Sequence, residues 1–380
     1  MFKLRIYLPS YIIMLRLLKQ GLHAALLILS FLATTTCFAQ DFSKLDNWLE
    51  TNAQDMGGRA VLMIYKGGKI IYAHVANEMR PRQKMVAKMI LKRQGTKANL
   101  EDFTPATRGP IASCSKWLSA ALVMTFVDEG KLSLLDSVGK FLPTLTQYNK
   151  GAITIAQCLS HTTAIKAPSF KEGINEMRAA TSMDEAIADI AHLSMEGELG
   201  KVFRYSSIGL QIAAAVIEKI SGKSFETLFL ERLATPLDMH HTDFGKAKVP
   251  LPAGGAWSSA SDYLNFLVMI LNKGVYNGKR ILSEAAVAQM QFNRITKNVI
   301  IAYSPNEAGS AGYGLGEWVM EASTVSNTAR SVSSPGLFGS FPWVDNEKKY
   351  CGFLMTFYLK SQGRRERYQE LKELVDDLIK

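Results

Sequence analysis

The pattern of hydrophobic and polar residues predicts a β-hairpin near the start of the chain. Residues 60–66 and 69–75 are two runs rich in β-branched and aromatic side chains, and they flank Gly67-Gly68. Gly-Gly between two such runs favours the tight turns that join antiparallel strands. The sequence therefore predicts an antiparallel strand pair before residue 80.

The middle and the end of the chain have mostly helical spacing. Apolar residues at intervals of three and four predict long helices over 113–129 and 207–221, and a glycine closes each of them. Further on, 350–359 is an apolar run typical of a strand, and 364–380 is a charged amphipathic helix. A hairpin, then helices, then strands and a last helix indicate an α+β fold. In this fold an antiparallel sheet is flanked by helices and carries an inserted helical subdomain.

Residues 1–39 have the composition of a secretory signal peptide. Four basic residues and no acidic residue occur there, an apolar run covers 22–32, and small residues lead to Ala39. This order is typical of a leader that is cleaved, here after Ala39, and the apolar run is short for a membrane span. We expect an exported protein, periplasmic or secreted, whose only membrane contact is this leader. An uncleaved anchor and a start at Met14 remain open.

Composition indicates that residues 40–380 are globular. Hydrophobic residues make up 47% and charged residues 21% of the 380-residue chain, which excludes a disordered or collagen-like protein. The formal charge of +10 falls to +6 without the four basic residues of the leader. We divide 40–380 into a sheet part at about 40–112 and 245–380 and a helical part at about 113–244.

The four cysteines exclude some classes of small domain. No C-x-x-C pair occurs, which excludes a disulfide scaffold and the common zinc ribbons. Cys114, Cys158 and Cys351 remain after cleavage of the leader. Because this number is odd, at least one thiol is free or bonded to another molecule.

Seven basic residues and no acidic residue lie within 79–97. Met85, Val86, Met89 and Ile90 have helical spacing among them, which predicts a basic amphipathic helix. Such a helix either touches anionic surfaces or is a solvated helix packed on the body, and we favour the second interpretation. No nucleic-acid motif occurs, so no nucleic-acid partner is expected.

Residues 113–116 are an S-x-x-K motif at the start of a predicted helix. A spacing of three places Ser113 and Lys116 on one helix face, with Cβ atoms about 5–6 Å apart. A serine hydroxyl becomes a good nucleophile when a base takes its proton, and a lysine acts as that base when burial lowers its pKa. The helix N-terminus also offers N–H groups to a developing oxyanion. Cys114 and Ser115 are disfavoured as nucleophiles, since neither lies on the face of Lys116.

Two further segments carry candidate residues. Tyr205 precedes the helix over 207–221, and a tyrosine in a cationic pocket relays protons, although Tyr205 alone is more typical of the edge of a core. Residues 334–345 are predicted to form an apolar strand with small residues where a substrate approaches the backbone. Pro335 lacks an N–H group and is therefore expected at an edge or a bulge.

Several matches in a fixed order carry a resemblance to a known family. They are TRGPIASCSK at 107–116, VDEGKLSL at 127–134, ITIAQCLSHTT at 153–163, FRYSS at 203–207, PLDM at 236–239 and GGAWSSASD at 254–262. With these stretches the chain resembles the serine β-lactamase-like superfamily, which includes class C β-lactamases, D-alanyl-D-alanine carboxypeptidases and family VIII esterases. The resemblance implies a β-lactamase/transpeptidase-like fold, with no metal and no cofactor.

The resemblance also implies roles for single residues. Ser113 would be the acylated nucleophile, Lys116 its proton acceptor, and Tyr205 the partner base for deacylation. Which group takes the first proton is disputed for such enzymes, so Lys116 and Tyr205 are treated as a coupled pair. The N–H groups of Ser113 and Leu337 would form the oxyanion hole. His161 fits a structural hydrogen bond better than catalysis.

Two departures from the family pattern bear on the substrate. The family's tyrosine motif is Y-x-N, and here the third residue is Ser207. Penicillin-recognising members carry K-T-G or H-x-G on the third strand, whereas this chain has Ser334-Pro335-Gly336. A serine supplies only neutral hydrogen bonds to a substrate carboxylate. The predicted substrate-binding residues are therefore Ser207, Ser334, Gly336 and Leu337. The predicted substrate lacks that carboxylate, unless an arginine elsewhere replaces the cation.

The sequence thus predicts an exported serine hydrolase. It would cleave a small-molecule or peptide-like ester or amide through an acyl-enzyme on Ser113, without metal or cofactor. One alternative is a β-lactamase or D-alanyl-D-alanine carboxypeptidase that acts on β-lactams or cell-wall peptides. Another is a non-catalytic sensor or binding protein with the same fold, since a fold alone does not decide chemistry.

Overall fold

The computed structural model describes residues 40–93, 100–168, 180–308, 312–322 and 329–379. The predicted leader at 1–39 lies outside the described residues, and so does the end of the basic stretch at 94–97. Within the described ranges, none of the helices combines the length and the apolar character that a bilayer span requires.

Thirteen strands occur in the described residues, and seven of them form one antiparallel sheet. The strands are β1 (Arg59–Lys66), β2 (Lys69–Asn77), β3 (Gly109–Pro110), β4 (Val202–Arg204), β5 (Trp257–Ser258), β6 (Val275–Tyr276), β7 (Lys279–Arg280), β8 (Ile300–Tyr303), β9 (Gly312–Tyr313), β10 (Trp318–Ala322), β11 (Ala329–Ser333), β12 (Phe341–Asp345) and β13 (Tyr350–Thr356). The large sheet has the order β2-β1-β13-β12-β11-β10-β9, and the other strands form two-stranded pairs. The predicted α+β class with an antiparallel sheet is confirmed.

Eleven α-helices occur in the described residues. They are α1 (Ser43–Ala53), α2 (Pro81–Arg93), α3 (Ser115–Asp128), α4 (Pro143–Gln147), α5 (Ile155–Leu159), α6 (Met183–His192), α7 (Ile208–Ser221), α8 (Phe225–Phe229), α9 (Ala260–Leu271), α10 (Glu284–Gln291) and α11 (Arg364–Leu378). Five of them, from α4 to α8, lie between α3 and residue 244, in the part of the chain predicted to be helical.

The predicted hairpin at the start of the chain is confirmed. β1 and β2 pair antiparallel, and Gly67 and Gly68 connect them with φ values of 58° and 85°. Glycine adopts such positive φ values readily because it has no Cβ. β1 also pairs with β13, with Met63 opposite Phe353. The first hairpin and the last strand of the chain therefore lie side by side in the sheet.

Helices cover both faces of the large sheet. Leu62 and Ile64 of β1 belong to a hydrophobic cluster with α1 and α11, whereas Val61 and Met63 belong to a second cluster that includes α3 and α9. Alternate residues of a strand point to opposite faces, so a strand covered on both sides is apolar at nearly every position. This explains why 60–64 is continuously hydrophobic.

The helix that carries the S-x-x-K motif is buried on all sides. Every residue of α3 from Ser115 to Phe126 is buried, as expected for a helix that is apolar around its whole circumference. The helix predicted over 113–129 is confirmed with one correction, because Ala112–Cys114 form a separate 3-10 turn before α3 begins. The helix predicted over 207–221 is α7, and Gly222 ends it with a φ of 68°.

The basic stretch forms α2, and the predicted helix is confirmed over its described part. Ala87, Ile90 and Leu91 are buried in the core, whereas Met85 and Met89 are exposed together with the lysines of the helix. The expected apolar stripe is therefore divided between the buried and the exposed side. The buried side packs on the body of the protein, as in the interpretation we favoured.

The strand predicted over 334–345 is wrong in its first half. β11 ends at Ser333, a turn follows in which the Gly339 N–H donates to the carbonyl of Gly336 at 2.9 Å, and β12 begins only at Phe341. Gly339 has a φ of 88°, and a Cβ at this position would lie 2.0 Å from the ring of Tyr358. The chain turns here because glycine permits both the φ value and the close approach.

Candidate active site

The 3-10 turn before α3 places Ser113 at the edge of a cavity of about 660 Å³. Lys116 follows one helical turn later and lines the same cavity. Its Nζ lies 3.2 Å from Oγ of Ser113, so the two side chains share a hydrogen bond. The structure thus brings together the two groups that the S-x-x-K spacing placed on one face.

Lys116 is buried, and no carboxylate among the described residues contacts its amine. Its side chain is 2% exposed, and Nζ donates to the carbonyl of Ala253 at 2.8 Å in addition to its contact with Ser113. Burial disfavours the ammonium ion and lowers the pKa of Lys116 to about 7. Near neutral pH a large fraction of the amine is therefore uncharged and able to accept the proton of Ser113.

Tyr205 joins this pair from the end of β4. Tyr205 and Ser113 line the same cavity, and Nζ of Lys116 lies 4.6 Å from the centre of the Tyr205 ring. Burial raises the pKa of Tyr205 above its usual value, although the interaction of its hydroxyl with the Ser113 side chain opposes this. The phenol therefore keeps its proton near neutral pH. Of the two groups, Lys116 has the free lone pair and Tyr205 has a proton to pass on.

A cluster of aromatic rings holds Tyr205 in place. Trp318 stacks on Tyr205 with ring centres 5.2 Å apart, and the ring of His161 lies 4.8 Å away. Nδ1 of His161 accepts a hydrogen bond from the Ser206 N–H at 3.5 Å, and its Nε2 is 3.0 Å from the Tyr313 hydroxyl. Both ring nitrogens of His161 thus have hydrogen-bond partners within the protein. Sequence reasoning missed Trp318 and Tyr313, which follow no motif.

Burial and the charge of Lys116 lower the pKa of His161 well below its usual range, so His161 is neutral. Since Nδ1 accepts a hydrogen bond, Nε2 carries the proton in this arrangement. The geometry gives His161 the structural role that its motif suggested.

The segment after β11 passes close to the nucleophile. A Cβ at Gly336 would lie 2.4 Å from the carbonyl of Ile111 and 3.2 Å from Sγ of Cys114, so a larger residue does not fit there. Ser113 and Leu337 both line the cavity, and within the described part of the chain neither backbone N–H donates a hydrogen bond. Two free donors at the cavity are what an oxyanion hole requires.

The other predicted substrate-binding residues occupy different positions. Ser207 and Gly336 line the cavity. Ser334 does not, because it is buried and its hydroxyl donates to the carbonyls of Ser113 at 3.3 Å and Gly316 at 3.1 Å. Ser334 therefore supports the backbone around the nucleophile, and as placed it has no contact to offer a substrate.

The two neighbours of Ser113 in the motif face away from the cavity. Cys114 is buried, and burial raises the pKa of its thiol. Ser115 donates to the carbonyl of Ala112 at 2.5 Å and accepts from the Ala256 N–H at 3.0 Å. Cys158 and Cys351 are likewise buried free thiols.

Both arginines that line the cavity are already engaged. Arg204 binds the carboxylate of Glu196 through two hydrogen bonds of 2.5 and 2.6 Å. Arg364 is buried, lies 3.5 Å from Glu307, and donates to the carbonyl of Leu337 at 3.0 Å. Its other terminal nitrogen donates to the carbonyls of Tyr358 and Lys360. Neither guanidinium offers a free cation to replace the missing lysine of the third strand.

The chain is similar to known proteins both in sequence and in fold. The family model named Beta-lactamase matches residues 49–376. The chain belongs to this family. The predicted resemblance is confirmed, and members of the family are serine hydrolases that include esterases and β-lactamases.

Among curated proteins, protein Rv1367c of Mycobacterium tuberculosis is 26% identical over 290 residues, which cover 61% of this chain and 71% of the relative. A solved structure from Bacteroides dorei, provisionally named a β-lactamase, is 26% identical. It has a TM-score of 0.74 and covers 90% of this chain and 99% of its own. The structure of a family VIII carboxylesterase is 17% identical, with a TM-score of 0.70 over 89% of this chain and 97% of its own, and shows the fold alone.

Proposed function

We propose that the protein is a serine hydrolase that cleaves an uncharged ester or amide through an acyl-enzyme on Ser113. One observation carries this proposal: the buried amine of Lys116, with a pKa of about 7, lies 3.2 Å from the Ser113 hydroxyl. Such a pair activates a serine without a histidine.

The geometry supports the following sequence of steps. Lys116 takes the proton of Ser113 as Oγ bonds to the carbonyl carbon of the substrate. The oxyanion receives hydrogen bonds from the N–H groups of Ser113 and Leu337. The bond between the carbonyl carbon and the leaving group then breaks, and Tyr205 passes its proton to the leaving group and regains one from Lys116. This leaves the acyl group on Ser113 in place of its proton, with Lys116 and Tyr205 in their starting protonation states. Water then attacks the acyl-enzyme by the reverse path.

The charges around the cavity support an uncharged substrate. Apart from Lys116, the charged lining residues in the described part of the chain are Arg204, Arg364 and Glu307, and each of them has a partner of opposite charge. A carboxylate of a β-lactam or a peptide terminus would have to displace one of these contacts. This favours an ester or amide that lacks the carboxylate.

We also propose that the protein acts outside the cytoplasm. The support is the composition of residues 1–39, with its basic start, apolar run and small residues before Ala39. The N-terminal sequence of the protein isolated from its host would test this proposal. A chain that begins at Gln40 agrees with it, and an intact Met1 or Met14 terminus opposes it.

The function is tested by comparing kcat/KM on p-nitrophenyl butyrate and on a chromogenic cephalosporin. We expect the ester to be the better substrate and Ser113→Ala to be inactive on both. Ser361→Ala is the matched control and should retain activity. Ser361 lines the same cavity, and the described partners of the Lys116 amine are Ser113 and Ala253. Wild-type rates in Ser113→Ala would refute the acyl-enzyme, whereas a better cephalosporin substrate would favour the β-lactamase alternative.

A further inference from the structure

Hydrophobic side chains are exposed around the mouth of the cavity. Tyr303, Leu337 and Leu359 line the cavity and are 48%, 37% and 45% exposed. Ile300 and Ile301 precede Tyr303 on β8 and are 66% and 52% exposed. We name these five residues the apolar rim. They are five of the twelve exposed large hydrophobic residues in the described ranges, and three of the five line the cavity.

The apolar rim is continuous with the catalytic residues. The carbonyl of Tyr303 accepts a hydrogen bond from the Tyr205 N–H at 3.1 Å, and Leu337 supplies one of the two free N–H groups near Ser113. All four residues of β8 are exposed, and within the described residues β8 pairs only with β4. An apolar edge strand exposed in this way is available to bind another molecule.

The interior of the cavity agrees with an apolar occupant. Beyond the rim, its lining includes Ala167, Pro168, Ile208 and Trp318. The cationic lining residues outside the catalytic pair are neutralised by Glu196 and Glu307. A cavity of about 660 Å³ lies within the range of about 300–1,000 Å³ that holds ligands of moderate size.

From this continuity we propose that the apolar rim binds the acyl chain of the substrate, and that the substrates are esters of medium-chain and long-chain carboxylic acids. The inference rests on the proposed function and extends it to a substrate class. The carbonyl carbon lies at Ser113 while the chain extends outward over Leu359 and Ile301. Each methylene group that is buried in this way favours binding by about fourfold.

The first test is the dependence of kcat/KM on chain length for p-nitrophenyl butyrate, hexanoate, octanoate and decanoate, each below its micelle concentration. We expect kcat/KM to rise with length by up to about fourfold per methylene group. In the double variant Ile301→Ser/Leu359→Ser, the ratio of kcat/KM on decanoate to kcat/KM on butyrate should fall by about tenfold or more. A wild-type rate that falls beyond butyrate, or an unchanged profile in the double variant, would overturn the inference.

Ile70→Ser is the matched control for this test. Ile70 is 51% exposed, lies on β2 and does not line the cavity, so its replacement removes a similar exposed side chain elsewhere. It should leave the whole chain-length profile unchanged. An equal loss on decanoate in Ile70→Ser would show a general surface effect and would contradict a specific role for the rim.

A binding measurement separates failure of this inference from failure of the proposed function. Calorimetric titration of Ser113→Ala with the butyrate and decanoate esters should show tighter binding of decanoate, and the rim substitutions should remove the difference. If no ester is hydrolysed and decanoate still binds in this way, the proposed function fails while the rim remains an acyl-chain site. Equal binding of both esters, or a dimer that the rim substitutions dissociate in sedimentation, would refute the rim as a substrate site.

Discussion

Two buried lysines, one on each side of the sheet, have pKa values that are shifted in opposite directions. Lys116 of α3 has a carbonyl and a hydroxyl as partners, and burial lowers its pKa to about 7. Lys372 of α11 is also buried, but it lies 2.7 Å from Asp345 and 2.8 Å from Asp376. Burial alone would lower the pKa of Lys372, and the two carboxylates outweigh this and raise it. Partners, rather than burial, decide whether the amine is a base or a structural cation.

A third lysine shows what else the site requires. Lys150 is buried, donates to the carbonyl of Ala191 at 2.8 Å, and has a pKa that burial lowers. It has no serine hydroxyl within hydrogen-bond distance in the described residues. A lowered pKa is therefore not sufficient for catalysis, and the contact with Ser113 distinguishes Lys116.

The largest effect that would test this comparison is loss of the amine at Lys116. Lys116→Met should lower kcat/KM on an ester by about 10²–10⁴-fold, the usual contribution of a general base. Methionine is apolar and of similar length, so the variant should stay folded. The control is Lys150→Met, which should retain wild-type kcat/KM on the same ester. Near-wild-type turnover in Lys116→Met would show that Lys116 is not the base.

The opposite outcome is expected for Lys372. Lys372→Met should lower the free energy of unfolding by about 3–5 kcal/mol, because it leaves Asp345 buried without its cation. Activity per folded molecule should stay at the wild-type level, since Lys372 does not line the cavity. Urea denaturation and active-site titration measure the two quantities. The double variant Lys372→Met/Asp345→Asn should recover part of the lost stability. Equal destabilisation by Lys116→Met and Lys372→Met would contradict the different roles of the two lysines.

The last test is the pH dependence of kcat/KM that the lowered pKa of Lys116 predicts. Lys116 accepts a proton only when uncharged, so kcat/KM should rise about tenfold per pH unit below about pH 7 and level off above it. A rate that is flat from pH 5 to 8 would oppose Lys116 as the base. The pH profile of Lys150→Met should match that of the wild type.

Stability should depend on pH with opposite signs for the two residues. An unfolded lysine keeps its proton up to about pH 10.4. Between pH 7 and 10 the unfolded state therefore binds the proton that folded Lys116 has lost, and this residue adds up to about 1.4 kcal/mol of stability per pH unit. Lys372 contributes stability that is fully present below about pH 10.4 and is lost as pH rises through its raised pKa. Unfolding of wild type and Lys116→Met between pH 7 and 9 measures the first contribution.

Local signals predicted much of the fold. Gly67-Gly68 predicted the first turn, Gly222 the end of α7, and the apolar run at 350–359 the strand β13, which ends at Thr356. These features depend on a few neighbouring residues and on backbone preferences. The interpretation of 334–345 as one strand was wrong because the close contact of Gly339 with Tyr358 comes from residues that are distant along the chain.

The candidate site was predictable where its residues are neighbours on one element. The spacing of Ser113 and Lys116 follows from helix geometry alone. Their link to Tyr205 came from the resemblance, and no spacing could have supplied it. Ser334 was predicted to contact substrate, and only the fold shows that its hydroxyl is used by the carbonyls of Ser113 and Gly316.

The sequence by itself determined the class of fold, the serine and lysine on one helix face, and the absence of a cation at residue 334. Only the tertiary structure decided the chemistry of that lysine. The carbonyl that accepts a hydrogen bond from Lys116 belongs to Ala253, which is 137 residues away. Among the described residues, the segments that pack around this amine bring no carboxylate into contact with it. Desolvation and hydrogen bonding are properties of the packed environment, so the pKa of Lys116 depends on contacts that no local pattern contains.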